Sequence, residues 1–388
     1  MRSLRRLRIT DQGDGRCCSA GVAAREVRAR DRRAMARRAF SLVLLLVLAV
    51  PGYAQRRKII IDQDASGPGG SNLQAIMTLV QSPEVEPLGI TVVTGDQWRD
   101  DEVAQVLRLL EIVGRTDVPV VPGAVFPLVH TQQEAQADQR LYGKVSYMGA
   151  WDPRWWHEPF VVPDMPQGRP TAKPSSEDAP HFMIRMVHHY PHRVTIFEGG
   201  PMTDLALAIR LDPEFAGLAQ ELIFMGGSLN PQSSDPEWAS DPRHEFNFWF
   251  DPEAAHIALT APWAKITCTP VDVSIKTHFT RAMAEETAHQ GGVLGQYWLK
   301  YYPTNINFMW DELTAAAWLD SSLITAEQQL YMDVNIEHGP NYGDTLTWHE
   351  NDKPDSGVRL VHVQMDVDRA RFERLFVKLM SSPTPKPQ

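Results

Sequence analysis

Two carboxylates one residue apart, Asp62 and Asp64, follow a run of three isoleucines that starts at Ile59. Consecutive β-branched residues are typical of a buried strand, and in an open α/β sheet ligands bind beyond the carboxyl ends of the strands. Carboxylate oxygens at such a point suit a hard cation such as Ca²⁺, or a compound with several hydroxyl groups. The pair alone is weak support for such a site, because Asp is also common in turns and at helix N-caps.

A second pair of polar residues, Glu245 and Asn247, is two positions apart in a segment that we predict to be extended. Residues i and i+2 of a strand project to the same face, so both side chains are expected to meet one ligand. A carboxylate and an amide together supply the acceptor and the donor that two neighbouring hydroxyl groups need. Asp251 is instead predicted to cap a helix that starts at Pro252.

The elements that must position these residues alternate along the chain. The predicted strands are 59–61, 88–94, 118–121, 194–197, 222–225 and 266–269, and the predicted helices are 73–80, 101–113, 182–190, 204–210 and 252–259. Further helices are expected within 282–300 and 310–319, strands within 331–336 and 358–363, and a last helix at 368–380. The alternation predicts an α/β fold, with an open, mostly parallel sheet and helices on both faces.

Residues 126–180 interrupt this alternation with Trp, Pro and polar residues, among them Trp151, Trp155 and Trp156. Irregular insertions longer than about 15 residues are usually lids, binding loops or disordered segments. We find no internal repeat and no linker, so the sequence predicts a single domain over 55–388 that carries an irregular insertion rich in Trp and Pro.

The first 54 residues predict a leader that is removed on export. A charged stretch at Met35 precedes an apolar run over 40–50 and small residues that end at Ala54, which is the pattern of a secretory signal peptide. The apolar run is shorter than the about 20 residues that a membrane-spanning helix needs. We expect translation to start at Met35, cleavage to follow Ala54, and the mature protein to be periplasmic or secreted, with no membrane attachment after cleavage.

The charge of the mature chain excludes one class of partner. Residues 1–54 contain 12 arginines and 4 acidic residues, so 55–388 retain 26 basic and 44 acidic residues, a formal charge of −18. Such a surface repels phosphate backbones, so binding to nucleic acid is not expected. Cys17 and Cys18 belong to the leader, which leaves Cys268 alone and predicts no internal disulfide.

Five segments share one resemblance, in their order and in their spacing. They are Ile59-Ile-Ile-Asp62-Gln-Asp64, Gly89-Ile-Thr-Val-Val-Thr-Gly95-Asp96-Gln97, Gly200-Pro-Met-Thr-Asp204-Leu-Ala-Leu-Ala, Phe224-Met-Gly226-Gly227 and Glu245-Phe246-Asn247-Phe-Trp-Phe-Asp251-Pro-Glu-Ala-Ala. Together they resemble the nucleoside hydrolase family, the inosine-uridine preferring type of N-ribohydrolase. The last segment is the most specific of the five.

The resemblance implies a site with one Ca²⁺, which fixes two ribose hydroxyls and a nucleophilic water. By position, Asp64 would be a metal ligand and the general base, and Asp311 the second carboxylate ligand. The backbone carbonyl of Gly199 would be a neutral ligand. Asp62 would not bind the cation itself but would support the residues that do. Glu245 and Asn247 would bind the ribose hydroxyls together with Asp311. Family members also imply a homodimer or homotetramer.

Three departures from the family's pattern bear on the site. Ser71 and Asn72 stand where two aspartates are expected, and Asn72 would still offer Ca²⁺ a neutral oxygen but hold it more weakly. Asp96 stands where a ribose-contacting Asn is usual, and it either restores the missing charge or caps the next turn. Trp310 stands where several members have a histidine that protonates the departing base. Indole is no such acid, but it can stack on a purine.

Taken together, the sequence predicts an exported enzyme that hydrolyses the N-glycosidic bond of a nucleoside or related riboside with a water held by Ca²⁺. Asp64 and Trp310 are the predicted catalytic residues, and Asp96, Glu245, Asn247 and Asp311 the predicted contacts to the substrate. Two alternatives remain open from the sequence. One is a periplasmic protein that binds a sugar or nucleoside without turnover, and the other is a hydrolase of a different glycoside.

Overall fold

Ile59, Ile60 and Ile61 form the centre of the first strand in the computed structural model, which describes residues 56–303 and 308–386. Ile59 and Ile61 belong to one hydrophobic core, and Ile60 belongs to another. Because successive side chains of a strand point to opposite faces, the sheet has a separate core on each side. Both cores are covered by helices, which explains why this strand is apolar without interruption.

The strands and the helices are numbered separately, each in the order in which they occur along the chain. The strands are β1 (Arg57–Gln63), β2 (Val85–Val92), β3 (Val120–Pro122), β4 (Val194–Glu198), β5 (Glu221–Met225), β6 (Ile266–Thr269), β7 (Ile324–Val334), β8 (Thr345–Trp348) and β9 (Arg359–Val367). The helices are α1 (Ser71–Val80), α2 (Arg99–Val113), α3 (Gln132–Tyr142), α4 (Ala179–His189), α5 (Thr203–Leu211), α6 (Phe215–Leu218), α7 (Pro236–Ser240), α8 (Phe246–Phe250), α9 (Pro252–Thr260), α10 (Val271–Ser274), α11 (Arg281–His289), α12 (Val293–Lys300), α13 (Trp310–Leu319) and α14 (Arg369–Ser381).

The strands form one sheet in the order β3-β2-β1-β4-β5-β6-β9-β7-β8. All pairs from β3 to β9 are parallel, whereas β7 is antiparallel to both β9 and β8. The predicted fold, an α/β structure with a mostly parallel sheet, is therefore confirmed. The strand order reverses between β1 and β4, and this is where open α/β sheets form a ligand-binding crevice.

Two local predictions are wrong. The insertion at 126–180 is not wholly irregular, because it contains α3, whose N-terminus has a capping box formed by Thr131 and Glu134. The pattern Thr-x-x-Glu is a sequence signature of that motif and was the available signal. The segment after Glu245 is not extended but forms α8, because Phe248 and Phe250 are both fully buried and tertiary packing overrides the strand preference of aromatic residues.

The predicted leader, with its start at Met35 and cleavage after Ala54, lies outside the described residues. The described residues belong to one compact unit that begins at Arg56. None of the helices within that part of the chain has the length and apolar character needed to span a bilayer.

Candidate active site

A cavity of about 900 Å³ lies beside the ends of the central parallel strands. Asp64, Gly199 and Met225, which follow or end β1, β4 and β5, line this cavity. Its volume is within the range of small-molecule sites. The structure brings together all the predicted site residues except Asp62, namely Asp64, Asn72, Asp96, Gly199, Glu245, Asn247, Trp310 and Asp311.

The carboxylate of Asp64 is buried and held by a donor on each oxygen. Its Oδ1 accepts a hydrogen bond from Nδ2 of Asn72 (2.6 Å), and its Oδ2 accepts one from the backbone N–H of Asp96 (3.1 Å). A Cβ atom on Gly95 would lie 2.2 Å from Oδ2 of Asp64, so only glycine leaves room for the carboxylate in this position. These contacts fix the orientation of the predicted general base.

Asp311, in the first turn of α13, is the second buried carboxylate of the cavity floor. Its Oδ1 has no hydrogen-bond partner among the described residues. The backbone of Gly199 approaches closely, since a Cβ atom there would lie 2.6 Å from this oxygen. A buried carboxylate oxygen without a donor is costly, so this position favours a cation or a proton.

Asn72 lies at the second position of α1, between the other predicted ligands. Its Nδ2 donates to Oδ1 of Asp64, to Oε1 of Gln63 (2.8 Å) and to the carbonyl of Gly199 (3.2 Å). The prediction was an Asn72 oxygen facing these groups, whereas the structure has the nitrogen there. Three acceptor oxygens surround the Asn72 amide. If the amide rotated by a half-turn, its own oxygen would face these acceptors, and only a cation between the oxygens would make that arrangement favourable.

Glu245 and Asn247 both reach the cavity, although not from a strand. Glu245 is the N-cap of α8, and its carboxylate accepts hydrogen bonds from the backbone N–H groups of Asn247 (2.9 Å), Phe248 (3.0 Å) and Gly227 (3.0 Å). The amide of Asn247 donates to the carbonyl of Met225 (3.1 Å) at the end of β5. The two side chains meet at the cavity because both belong to the N-terminal end of one helix.

Asp96 does not cap the following helix, because the N-cap of α2 is Trp98 and no side chain caps it. The Oδ1 of Asp96 instead accepts a hydrogen bond from the hydroxyl of Tyr147 (2.7 Å) in the insertion. Of the two alternatives left by the sequence, a negative charge beside Asp64 is the one that the geometry supports. Tyr147 thereby ties the insertion to the acidic floor.

Ser71 stands at the position of the other missing aspartate. Its side chain contacts an acidic residue that the sequence did not indicate. Its hydroxyl donates to Oε2 of Glu312 (2.6 Å), which also lines the cavity. Burial raises the pKa of Glu312 to about 8, despite this hydrogen bond. Glu312 therefore adds a carboxyl group beside Ser71, where the family's aspartate is missing.

Asp62 lies beneath the cavity and does not line it. It pairs in register with Glu198 of the neighbouring strand β4, and burial raises the pKa of Asp62 to about 6 and that of Glu198 well above its ordinary value. Glu198 also accepts a hydrogen bond from the backbone N–H of Gly200 (3.0 Å). Through this bond Glu198 holds the turn that presents the carbonyl of Gly199, whereas both side-chain oxygens of Asp62 have no hydrogen-bond partner among the described residues.

The acidic floor comprises five carboxyl groups: those of Asp64, Asp96, Glu245, Asp311 and Glu312. Burial is the main cause that raises the pKa of each, and it raises the pKa of Asp96 to about 6. Repulsion from neighbouring acids adds to the rise for Asp64 and Asp311. Among the described residues, Arg154 also lines the cavity, but it is paired with Asp152. The floor therefore favours positive charge.

Aromatic side chains form another part of the cavity lining, which we call the aromatic wall. The ring of Trp310 lies edge-on to Trp238 (5.7 Å between centroids) and beside Phe308 (4.9 Å). Of the three tryptophans in the insertion, Trp155 lines the cavity, whereas Trp151 is stacked on Phe250 in the core. Trp156 is 45% exposed. The wall offers flat apolar surface suited to a heterocyclic ring.

The sequence model of the inosine-uridine preferring nucleoside hydrolase family matches residues 59–374, most of the chain. The chain belongs to this family. A probable uridine nucleosidase from Arabidopsis thaliana is 31% identical over 245 residues, which are 63% of this chain and 68% of that protein. The inosine-uridine preferring nucleoside hydrolase of Leishmania major is 26% identical over 327 residues, or 81% and 94% of the two chains.

Solved nucleoside hydrolases have the same fold as this one. A plant nucleoside hydrolase superposes with a TM-score of 0.66 at 25% identity, covering 84% of this chain and 99% of that chain. A purine-preferring ribonucleoside hydrolase from Gardnerella vaginalis, 24% identical, gives a TM-score of 0.65 over 84% of this chain and 98% of that chain. This protein is accordingly a nucleoside hydrolase enzyme, and of the alternatives left open by the sequence, the non-catalytic binding protein is not supported.

Several residues of this nucleoside hydrolase site had no signal in the sequence. Tyr147, Glu198, Glu237 and Glu312 belong to the site or support it, yet none of these four stands in a recognisable motif. Gln63, which accepts a hydrogen bond from Asn72, does stand in the first resembling segment, between Asp62 and Asp64, but nothing in the sequence indicated its contact. The others are brought in by tertiary contacts alone.

Proposed function

We propose that this nucleoside hydrolase cleaves the N-glycosidic bond of a ribonucleoside with a water molecule held by one Ca²⁺ at the acidic floor. The observation that carries the proposal is the set of buried carboxyls around Asp64 and Asp311, whose charge no Lys or Arg among the described residues offsets. A hard cation, and a transition state with positive character on the sugar, would both be stabilised there.

The donor set fits Ca²⁺. Asp64, Asp311 and the carbonyl of Gly199 would supply three oxygens, and Asn72 a fourth after rotation of its amide. Ca²⁺ takes six to eight oxygens at about 2.3–2.6 Å, so water and substrate hydroxyls would complete the set. The unpartnered Oδ1 of Asp311 and the space left by Gly199 support this assignment. Because Asn72 carries no charge, we expect weaker binding than in a site with a full set of aspartates.

The residues of the floor have different roles in the reaction. Bound Ca²⁺ would supply positive charge that orients the water and the ribose hydroxyls. Asp64 accepts the proton of the attacking water, and the backbone N–H of Asp96 holds its carboxylate in place for that step. Glu245 and Asn247 contact the ribose hydroxyls, and Asp311 serves both the cation and the sugar.

At the other end of the cavity, Trp310 stacks on the base. Stacking of a base on an aromatic side chain is worth about 1–3 kcal/mol in nucleic-acid-binding proteins, and a purine offers more area than a pyrimidine. The proximity of Trp238, Phe308 and Trp155 to the same cavity supports a preference for purine ribosides. The protein would act after export, as the leader over 1–54 predicts, and as a homodimer or homotetramer.

Release of reducing sugar from a panel of ribosides tests the proposal. Inosine, guanosine and uridine are compared with ribosides that carry no base, each with and without added Ca²⁺. We expect Ca²⁺-dependent release from the nucleosides, fastest from the purines. Release only from the compounds without a base would favour the alternative of a different glycoside, and no release from any riboside would refute the proposal.

A further inference from the structure

Glu237 is an acidic residue of the cavity. Neither the proposed binding of the cation nor that of the ribose gives it a role. It lies in the first turn of α7, where the side chain of Asp235 accepts a hydrogen bond from its backbone N–H (3.0 Å). The short helix separates the main cavity from an adjoining one of about 600 Å³, and Glu237 lines both. It faces the space that the base would occupy if the ribose lies on the acidic floor.

Contacts of the next residue place Glu237 at the aromatic wall. Trp238 is buried, and its ring lies 5.7 Å from that of Trp310 and 6.3 Å from that of Phe308. The indole Nε1 of Trp238 donates to the carbonyl of His244 (3.2 Å). α7 is therefore anchored on the same rings that would stack on the base.

The surroundings of Glu237 favour the protonated form of its carboxyl. Burial, with the nearby charges of Asp235 and Glu245, raises its pKa to about 7. His244 approaches with its Nε2 at 3.9 Å from Oε1, which is too long for a hydrogen bond. Burial lowers the pKa of His244 to about 4, so this imidazole is neutral. The remaining charged groups of the two cavity walls nearby are Asp96, Asp138, Lys144, Arg154, Asp241, Arg243 and Asp344.

We propose that Glu237 is the general acid that protonates the departing base, the role that Trp310 is chemically unable to fill. The inference rests on the proposed hydrolysis of ribonucleosides. As the bond between the anomeric carbon and the base nitrogen breaks, its electron pair remains on the base and the Glu237 proton moves to a ring nitrogen. Water adds to the anomeric carbon and gives a proton to Asp64. Solvent reprotonates Glu237 and takes the proton from Asp64, so that nucleoside and water give ribose and free base.

The variant Glu237→Gln tests this role, because the amide keeps the shape of the side chain and loses the acidic proton. We measure kcat/KM on inosine and on 4-nitrophenyl β-D-riboside, whose phenolate departs without protonation. The rate on inosine should fall by about 10²–10⁴-fold, the usual contribution of a general acid. The rate on the nitrophenyl riboside should stay close to that of the wild type.

The pH profile supplies a second readout. A general acid must be protonated, so wild-type turnover of inosine should decline as the pH rises above about 7, and this decline should be absent with the nitrophenyl riboside. Asp138→Asn is the matched control, since Asp138 lines only the adjoining cavity, and it should leave both rates unchanged.

Two results would overturn the assignment while leaving the proposed function intact. Equal loss on both ribosides would make Glu237 a structural or sugar-binding residue, and no loss on either would remove it from the reaction. If the wild type cleaves neither compound, the proposed function itself fails and the role of Glu237 fails with it.

Discussion

The acidic floor and the aromatic wall of the cavity are built in different ways. Asp64, Gly199 and Asp311 lie at the ends of strands or at the start of a helix, and backbone contacts hold them in place. Of the wall, Trp155 comes from the insertion, where regular structure is sparse, and Trp238 from the short helix α7. Trp310 is the exception, because it lies next to Asp311 at the start of α13. Strand ends and the start of α13 thus fix the part that would bind cation and sugar, whereas loops and a short helix contribute more to the part that would bind the base.

This difference implies that the chemistry depends on the floor and the choice of base on the wall. A substitution in the floor should lower turnover of every nucleoside by a similar factor. A substitution in the wall should change the ratio between purine and pyrimidine substrates.

Asp64→Asn should lower kcat by about 10²–10⁴-fold on inosine and uridine alike, because it removes the general base. Thermal stability should stay the same or rise, since Asp64 is buried among like charges that raise its pKa. Steady-state kinetics and thermal unfolding of the same preparation check both parts. If the variant unfolds, or if its loss of activity differs between the two nucleosides, the separation of chemistry in the floor from base choice in the wall is wrong.

Asn247→Ala should raise the barrier in kcat/KM by about 1–3 kcal/mol for both nucleosides through loss of a polar partner to the ribose. Its amide also donates to the carbonyl of Met225, so circular dichroism must show an intact fold. Asn230→Ala, at an exposed position, serves as the control and should have no effect. If the activity per folded molecule is unchanged in Asn247→Ala, this residue is structural.

Trp310→Ala should cost about 1–3 kcal/mol in kcat/KM for inosine and less for uridine, because stacking area differs between the two bases. The ratio of the two rates is the quantity to measure. Trp156→Ala, which changes a tryptophan that is 45% exposed, should leave the ratio as it is. Faster turnover of uridine than of inosine by the wild type, or an unchanged rate on inosine in Trp310→Ala, would remove Trp310 from base recognition.

Tyr147→Phe should have the smallest effect, about 0.5–1.5 kcal/mol in kcat/KM, through loss of its hydrogen bond to Asp96. Tyr147 lines the cavity from the insertion but contacts Asp96 of the floor, so the loss should be similar for inosine and uridine. A change confined to one nucleoside would show that the hydroxyl of Tyr147 acts on the base instead.

The sequence predicted the floor much better than the wall. The run of isoleucines located Asp64 at a strand end, because parallel strands have a simple pattern and a common edge. Gly199, Asp311 and Trp310 were predicted as well, but only through their family positions. The helical conformation after Glu245 was missed, since the burial of Phe248 and Phe250 depends on the rest of the fold.

Other parts of the site could not be predicted because they depend on contacts between distant residues. The hydrogen bond between Ser71 and Glu312 joins positions 241 residues apart, and the one between Tyr147 and Asp96 joins positions 51 apart. Neither pair has a local signal in composition or periodicity. Glu237 is a similar case, since its pKa depends on its burial.

The most direct test of the central claim is a titration of chelator-treated protein with Ca²⁺, followed by calorimetry and by ribose release from inosine. We expect one binding site, activity that returns as this site fills, and no heat of Ca²⁺ binding in Asp64→Asn. Full ribose release in the presence of excess chelator, or no heat and no thermal shift at millimolar Ca²⁺, would contradict the claim that the acidic floor works through a bound cation.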